Sequence, residues 1–328
     1  MGYELAGSRV LITGGAGFIG SHIADLLVNE QVAEVIAIDN LVRGNRENLA
    51  AAAARARVTL VEGSITDRAL VERCMHGVDY VFHEAALRIT HCAADPASAH
   101  AVMYDGAFNV VDAAAKAGVK KIVAASSASV YGEPDYLPID EQHPYNNRTL
   151  YGAAKIANEH LLRSYCDMTG LPYVALRYFN VYGPRMDIYG VYTEVMIRWM
   201  DRIDQGLPPV IFGDGSQSMD FVFVRDVARA NIRAMVSDAS DIVLNVASGT
   251  QTTLLELSQM LCEVMGHPEL KAEHVEERKV NPVRRRLGST ELARERIGFV
   301  TGVPLREGLE ELVAWRRAVL AQPVEVVA

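Results

Sequence analysis

The sequence predicts a doubly wound α/β fold, a Rossmann-type parallel sheet with helices on both faces, and three observations carry that prediction. Short apolar runs of β-forming residues alternate with longer stretches of helical period through the first half, as in a parallel sheet covered on both sides. A glycine-rich turn joins the first such run to the first helical stretch. The chain has 328 residues, 50% of them hydrophobic, enough to fill the core of one large or two medium domains.

In chain order, Val10 to Thr13 reads as the first strand and Ile19 to Glu30 as the helix after it. Val35 to Asp39, Val58 to Glu62 and Tyr80 to His83 are the next strands; the Ala-rich Leu49 to Ala56 between the first two of these is a helix or loop end. Ala107 to Lys116 is helical, Ile122 to Ser126 a strand, and Gly152 to Cys166 a helix closed by Gly170 and Pro172. Tyr173 to Tyr178 completes the regular alternation. Gly183-Pro184, Gly206, Pro208-Pro209 and Gly213-Asp214-Gly215 then punctuate a less regular stretch, where a second lobe begins. Ile242 to Ala247 again reads as a buried strand, most simply rejoining the first sheet, and Leu254 to Met265 as a helix. The expected organisation is a nucleotide-binding domain of residues 1–178 plus about 218–250, interleaved with a smaller C-terminal substrate-binding lobe of 179–217 plus 251–328, with a ligand between them.

The balance of 32 basic and 41 acidic residues, a net charge of -9, argues against a nucleic-acid binder. The four cysteines have no metal-ligand spacing and read as reduced thiols of the cytosol. Neither a basic-then-apolar leader nor an apolar run of about 18 residues occurs. The expected protein is cytoplasmic, without membrane or nucleic-acid partners and without a metal.

Gly14, Gly17 and Gly20 recur at three-residue spacing between the first strand and first helix, where a dinucleotide's pyrophosphate sits. Close backbone approach and free N–H groups at a positive helix end require small residues there. Asp39 ends the second strand, 19 residues past Gly20; an acid at this point accepts a ribose 2′-hydroxyl and repels a 2′-phosphate. NAD is therefore favoured, while Arg43 leaves NADP open. Tyr151 and Lys155 stand four residues apart on one helical face, where an ammonium favours a phenolate. Ser126-Ser127-Ala128-Ser129 follows the fifth strand, bringing hydroxyls to the carboxyl edge of the sheet.

Taken together, Thr13 to Gly20, His83-Glu84-Ala85-Ala86, Ser126 to Gly132, Tyr151 to Lys155, Arg177 to Arg185 and Gly213 to Gln217 resemble the extended short-chain dehydrogenase/reductases, specifically the NAD-dependent nucleotide-sugar epimerases and dehydratases. The resemblance runs nearly end to end. It implies Ser127, Tyr151 and Lys155 as the catalytic set and NAD as cofactor. NAD would be held by Gly14, Ala16, Gly17, Phe18, Ile19, Gly20, Asp39, Asn40, Arg43, Gly44, Ser64, Ile65, Ala85, Ala86, Tyr178 and Val181, with Tyr151 and Lys155. It places the substrate against Arg88, Ser127, Ser129, Tyr151, Asn180, Arg185, Val195, Val210, Phe212 and Arg278, and implies a homodimer built on Ala107 to Lys116 and Gly152 to Cys166. The chain departs from the family's pattern at Ser64, where an acid is usual, at Asp105, where Asn is usual, and at Met219, where a diphosphate-binding Arg is usual.

Sugar 4,6-dehydratases carry an Asp-Glu pair after the catalytic hydroxyl residue, and UDP-glucuronate decarboxylases a Glu; here Ala128 and Ser129 stand instead. What the resemblance then implies is reversible hydride transfer at C4′ of a UDP-sugar through a transient 4-keto intermediate. With Arg88 and Arg185 on pocket-facing segments, a guanidinium able to clamp a carboxylate, the chain looks most like UDP-glucuronate 4-epimerases. Epimerases of neutral UDP-hexoses and a UDP-glucuronate decarboxylase remain open, as does a non-catalytic nucleotide sensor.

Overall fold

The computed structural model describes residues 2–189, 194–276 and 283–321. Twelve strands are described: β1 (Arg9–Thr13), β2 (Glu34–Asp39), β3 (Val58–Glu62), β4 (Tyr80–His83), β5 (Lys121–Ser127), β6 (Tyr173–Tyr178), β7 (Asn180–Tyr182), β8 (Val210–Phe212), β9 (Ser218–Phe223), β10 (Ile242–Val246), β11 (Gln251–Thr253) and β12 (Glu273–Val275). The helices are α1 (Phe18–Asn29), α2 (Ala50–Ala53), α3 (Arg68–Met75), α4 (Ile89–Ala94), α5 (Pro96–His100), α6 (Ala107–Ala117), α7 (Leu150–Thr169), α8 (Val195–Ile203), α9 (Val224–Val236), α10 (Leu254–Met265), α11 (Glu291–Ile297) and α12 (Leu305–Leu320).

Seven parallel strands form the central sheet in the order β10-β6-β5-β4-β1-β2-β3. Their apolar runs reflect burial on both faces. Val10, Ile12, Val123 and Leu176 pack with Leu27 of α1 and Val227 and Met235 of α9. Leu11, Val81 and Ile122 pack on the other face with Val111 of α6 and Leu162 of α7. Fully burying each such side chain contributes about 1.5–3 kcal/mol. The sequence direction reverses between β1 and β4, so a crevice opens at the carboxyl ends of these strands. Ile242 to Val246 does join this sheet, beside β6.

A third core, with Trp199, Met200, Leu257, Leu261, Leu309 and Leu312, gathers α8, α10 and α12 beside the three-stranded sheet β11-β9-β7. That sheet was not anticipated: two of its strands have three residues each, too short for periodicity to register. The helix expected over Gly152 to Cys166 extends over Leu150–Thr169, because Thr149 caps it, its hydroxyl accepting from Gly152 N at 3.1 Å, and Gly170 ends it at φ 75°. Arg46–Leu49 is a 3-10 turn leading into α2, and a π-helical stretch, Ala101–Gly106, precedes α6. Among the described residues no helix is long and apolar enough to cross a membrane.

Candidate active site

Between β1 and α1 the chain must turn tightly under the end of β4. Gly14 has φ 69°, and a Cβ there would lie 2.9 Å from Ala85 N; one on Gly20 would lie 2.3 Å from Gly14 O. The N-terminus of α1 has no side-chain cap and no acid in its first turn, so its positive end is left for an anion. At the end of β2, the Asp39 carboxylate accepts from Ala16 N at 3.1 Å and Leu41 N at 2.9 Å. Burial raises its pKa, and these hydrogen bonds oppose the rise. Gly44 packs directly on that carboxylate, where a Cβ would meet Oδ1 at 2.6 Å. Asn40 is exposed, its Oδ1 accepting from Val42 N, and Arg43 reaches Asp187 at 3.4 Å. Close backbone, an uncapped helix start and a carboxylate at the neighbouring strand end fit a dinucleotide with a free ribose hydroxyl.

Farther along, Ser64 turns inward on itself, its hydroxyl accepting from Thr66 N and Thr66 Oγ1. Ile65 is buried, and its carbonyl accepts from Asn109 Nδ2 at 3.0 Å. Asp105, where the resemblance leads one to expect Asn, is exposed, 3.6 Å from His100. Ala85 N donates to Thr13 Oγ1, and Ala86 is exposed.

Ser127, the last residue of β5, accepts from Ser129 N at 3.1 Å and stands close enough to Tyr151 to lower its phenol. Its neighbour Ser126 points the other way, into the buried Glu159. Lys155 donates from Nζ to Ala125 O at 2.6 Å and stands 5.8 Å from the Tyr151 ring centre. Burial lowers the Lys155 ammonium to about 8, opposed by Glu84 and Glu159. Burial, with Cys92 and Glu84, pushes the Tyr151 phenol up to about 12, opposed by the Ser127 hydroxyl and the Arg286 charge. The helix carrying both residues is pinned to the sheet by Glu159, whose carboxylate takes two hydrogen bonds from Arg177, at 2.8 and 2.7 Å.

Ser127 opens onto a cavity of about 1040 Å³, lined also by Ser129, Tyr178, Asn180, Val181, Val195, Met219 and Arg286. Asn180 is steadied by donating to Asp220 O at 3.0 Å. Val210 and Phe212 lie on β8 and do not line this cavity; Arg278 lies outside the described residues.

Arg185, expected against the substrate, does not line this cavity. Arg185 sits at φ 70° just past β7, and its guanidinium pairs with Asp25 of α1 at 2.7 Å. Together with Arg43 and Arg88 it lines a second hollow of about 830 Å³ instead. Arg88 pairs with Glu194 at 3.5 Å.

Two arginines do line the catalytic cavity, Arg286 and the exposed Arg148, and Arg286 is the one set into its wall. It is buried, its Nε has no hydrogen-bond partner, and burial lowers it to about 10, with Glu133 and Tyr151 opposing. Its neighbours Arg284 and Arg285 are exposed. Nothing in the run Arg284-Arg285-Arg286 of the sequence sets it apart from its two neighbours.

The family model described as the NAD dependent epimerase/dehydratase family matches residues 10–247. A putative UDP-glucose 4-epimerase of Methanocaldococcus jannaschii is 34% identical over 311 residues, 94% of this chain and 98% of that protein. Among solved structures, a UDP-N-acetylglucosamine 4-epimerase from Methanobrevibacter ruminantium, in complex with UDP-N-acetylmuramic acid, superposes with a TM-score of 0.90 at 34% identity, over 96% of this chain and 99% of that one. A Thermotoga maritima UDP-glucose 4-epimerase with UDP-glucose gives 0.88 at 36% identity, over 95% and 99%.

Proposed function

The chain belongs to the NAD-dependent epimerase/dehydratase family, and from that premise we propose that it is an isomerase inverting C4′ of a UDP-sugar. The observation that carries this reading is the convergence of Ser127, on the wall of the cavity, with Tyr151 beside it and Lys155 5.8 Å from the Tyr151 ring centre, with no carboxylate at Ala128 or Ser129 to drive elimination. The glycine turn, Asp39 and Lys155 would hold NAD, which when bound supplies a reversible hydride acceptor. Tyr151 exchanges a proton with the 4′-hydroxyl. The Ser127 hydroxyl and the Arg286 charge favour its phenolate, against burial, Cys92 and Glu84, and a neighbouring ammonium such as that of Lys155 acts in the same favourable direction. Ser127 also steadies charge on the sugar oxygen.

For the sugar, the uronate reading rests on Arg286 in place of Arg185: a buried guanidinium with an unmet donor at the cavity wall suits a carboxylate. The names of the relatives favour neutral hexoses instead. A time course of anomeric proton signals with UDP-glucuronate, UDP-glucose and UDP-N-acetylglucosamine, without added reductant, tests both. Conversion of UDP-glucuronate to its 4′-epimer supports the uronate reading; conversion of neutral sugars alone removes it. Release of a pentose product would make the chain a decarboxylase. We also take the chain to act as a homodimer through α6 and α7, where Phe108 is 40% exposed and Met168 75%; sedimentation equilibrium reports the mass.

A further inference from the structure

Glu84 is a half-buried carboxyl for which the mechanism above has no use. It follows the last residue of β4, its backbone N donating to Thr13 O at 3.1 Å. β4 lies between β1, which carries the glycine turn, and β5, which carries Ser127. A ligand that reaches both the turn and Tyr151 therefore crosses the end of β4. The Glu84 carboxylate accepts from Tyr178 Oη, at 3.0 Å to Oε1 and 3.2 Å to Oε2. Tyr178 lines the catalytic cavity, and its hydroxyl is held in turn by Asn231 Nδ2 of α9 at 2.8 Å. The carboxylate is also within electrostatic reach of Lys155 and Tyr151. One phenolic donor is thin compensation for a carboxylate taken from water, so Glu84 does not stand there for stability.

We propose that Glu84 is a positioning charge that makes the bound cofactor prefer its oxidised form: a carboxylate beside the catalytic end of the site attracts the cationic ring of NAD⁺ and gives nothing to the neutral ring of NADH. This inference rests on the NAD-dependent reading of the site. An epimerase returns its cofactor to the oxidised state each cycle, and a fixed negative charge keeps it there between turnovers. The groups facing Glu84 are Lys155 and Tyr151 from α7, Tyr178 from β6 and the neutral amide of Asn231 from α9; its neighbour His83 is bonded to Thr13 and lowered by burial to about 3. Burial raises Glu84 to about 7, opposed by Tyr178 and Lys155. The preference for NAD⁺ therefore rises as pH climbs toward and through that value and Glu84 ionises. A separate contribution from Lys155, near 8, acts at higher pH.

The test equilibrates the purified protein with mixtures of NAD⁺ and NADH and reads the bound ratio, without any sugar substrate. The expected result is a preference for NAD⁺ that grows between about pH 5.5 and 7.5 in the wild type. In Glu84→Gln it is about tenfold weaker at the upper pH and flat below it, and in Glu84→Asp it is largely kept. A Glu84→Gln ratio equal to the wild type at both pH values overturns the proposal. Should that variant fail to fold, a wild-type ratio unchanged with pH overturns it equally. A wild type that binds neither form overturns the NAD-dependent reading itself, a different result from binding both forms alike.

Discussion

Two side chains make opposite demands on the same buried space. Tyr151 must lose a proton where burial, Cys92 and Glu84 push its phenol up to about 12, and the counter-forces are Ser127 and Arg286. Replacing it with Phe keeps the shape and removes the proton acceptor. Turnover of the Tyr151→Phe protein should drop by about 10²–10⁴ or more, with NAD still bound, as absorbance and mass of the released cofactor would report. Arg286 has the converse problem, a charge already fixed and a donor unmet. If it clamps a carboxylate, Arg286→Gln should raise KM for UDP-glucuronate with little change for UDP-glucose; an equal effect on both would make it a general wall residue. The proximity of Ser127, Tyr151 and Lys155 was legible because its signals are local: Tyr151 and Lys155 are one helical turn apart, and Ser127 ends a strand. Arg185 and Arg286 were not. Their partners, Asp25 and the cavity wall, lie far away in sequence, and a basic run gives no sign that only its third arginine is buried.

At the scale of elements, the site depends on how α7 is seated against β5 and β6. Arg177 of β6 and Glu159 of α7 form a nearly fully enclosed pair, 1% and 5% exposed, with Ser126, Tyr131 and Tyr145 completing their hydrogen bonds. Breaking one side leaves an uncompensated buried charge. Glu159→Gln is expected to cost about 3–5 kcal/mol in urea unfolding. It should also depress kcat more than KM, since Tyr151 and Lys155 ride on the same helix; a variant of unchanged stability would show that the pair is ornamental. The strands and α7 themselves were readable from apolar runs and stop signals. The β11-β9-β7 sheet was not. Asp220 of β9 accepts from Ser248 N, Gly249 N and Gly288 N at 2.6–3.2 Å, tying three distant segments together, and nothing local to Asp220 announces them.

In the whole molecule, the catalytic cavity is walled by parts that belong to different cores. Ser127 and Tyr178 extend from the central sheet, whereas Met186, Met196 and Leu254 belong to or border the core gathered by α8, α10 and α12. A UDP-sugar filling it must therefore touch both cores at once, and ligand bound only to the native state stabilises it by about 2.7 kcal/mol at a hundredfold excess over Kd. Where that stabilisation appears is the informative part. Strands β1, β4 and β5 are enclosed on both faces, so their amides are expected to exchange through global opening, whereas elements that border a ligand cavity are expected to open locally at lower cost. Saturating UDP should slow amide exchange most in α8 and the start of α10, with little change in the sheet beyond the common global gain. Hydrogen exchange followed by mass spectrometry, with and without UDP, reads this directly. Uniform protection would mean that the third core opens only when the sheet does. No protection in α8 would mean that the nucleotide binds elsewhere, with the hollow lined by Arg43, Arg88 and Arg185 as the next place to look.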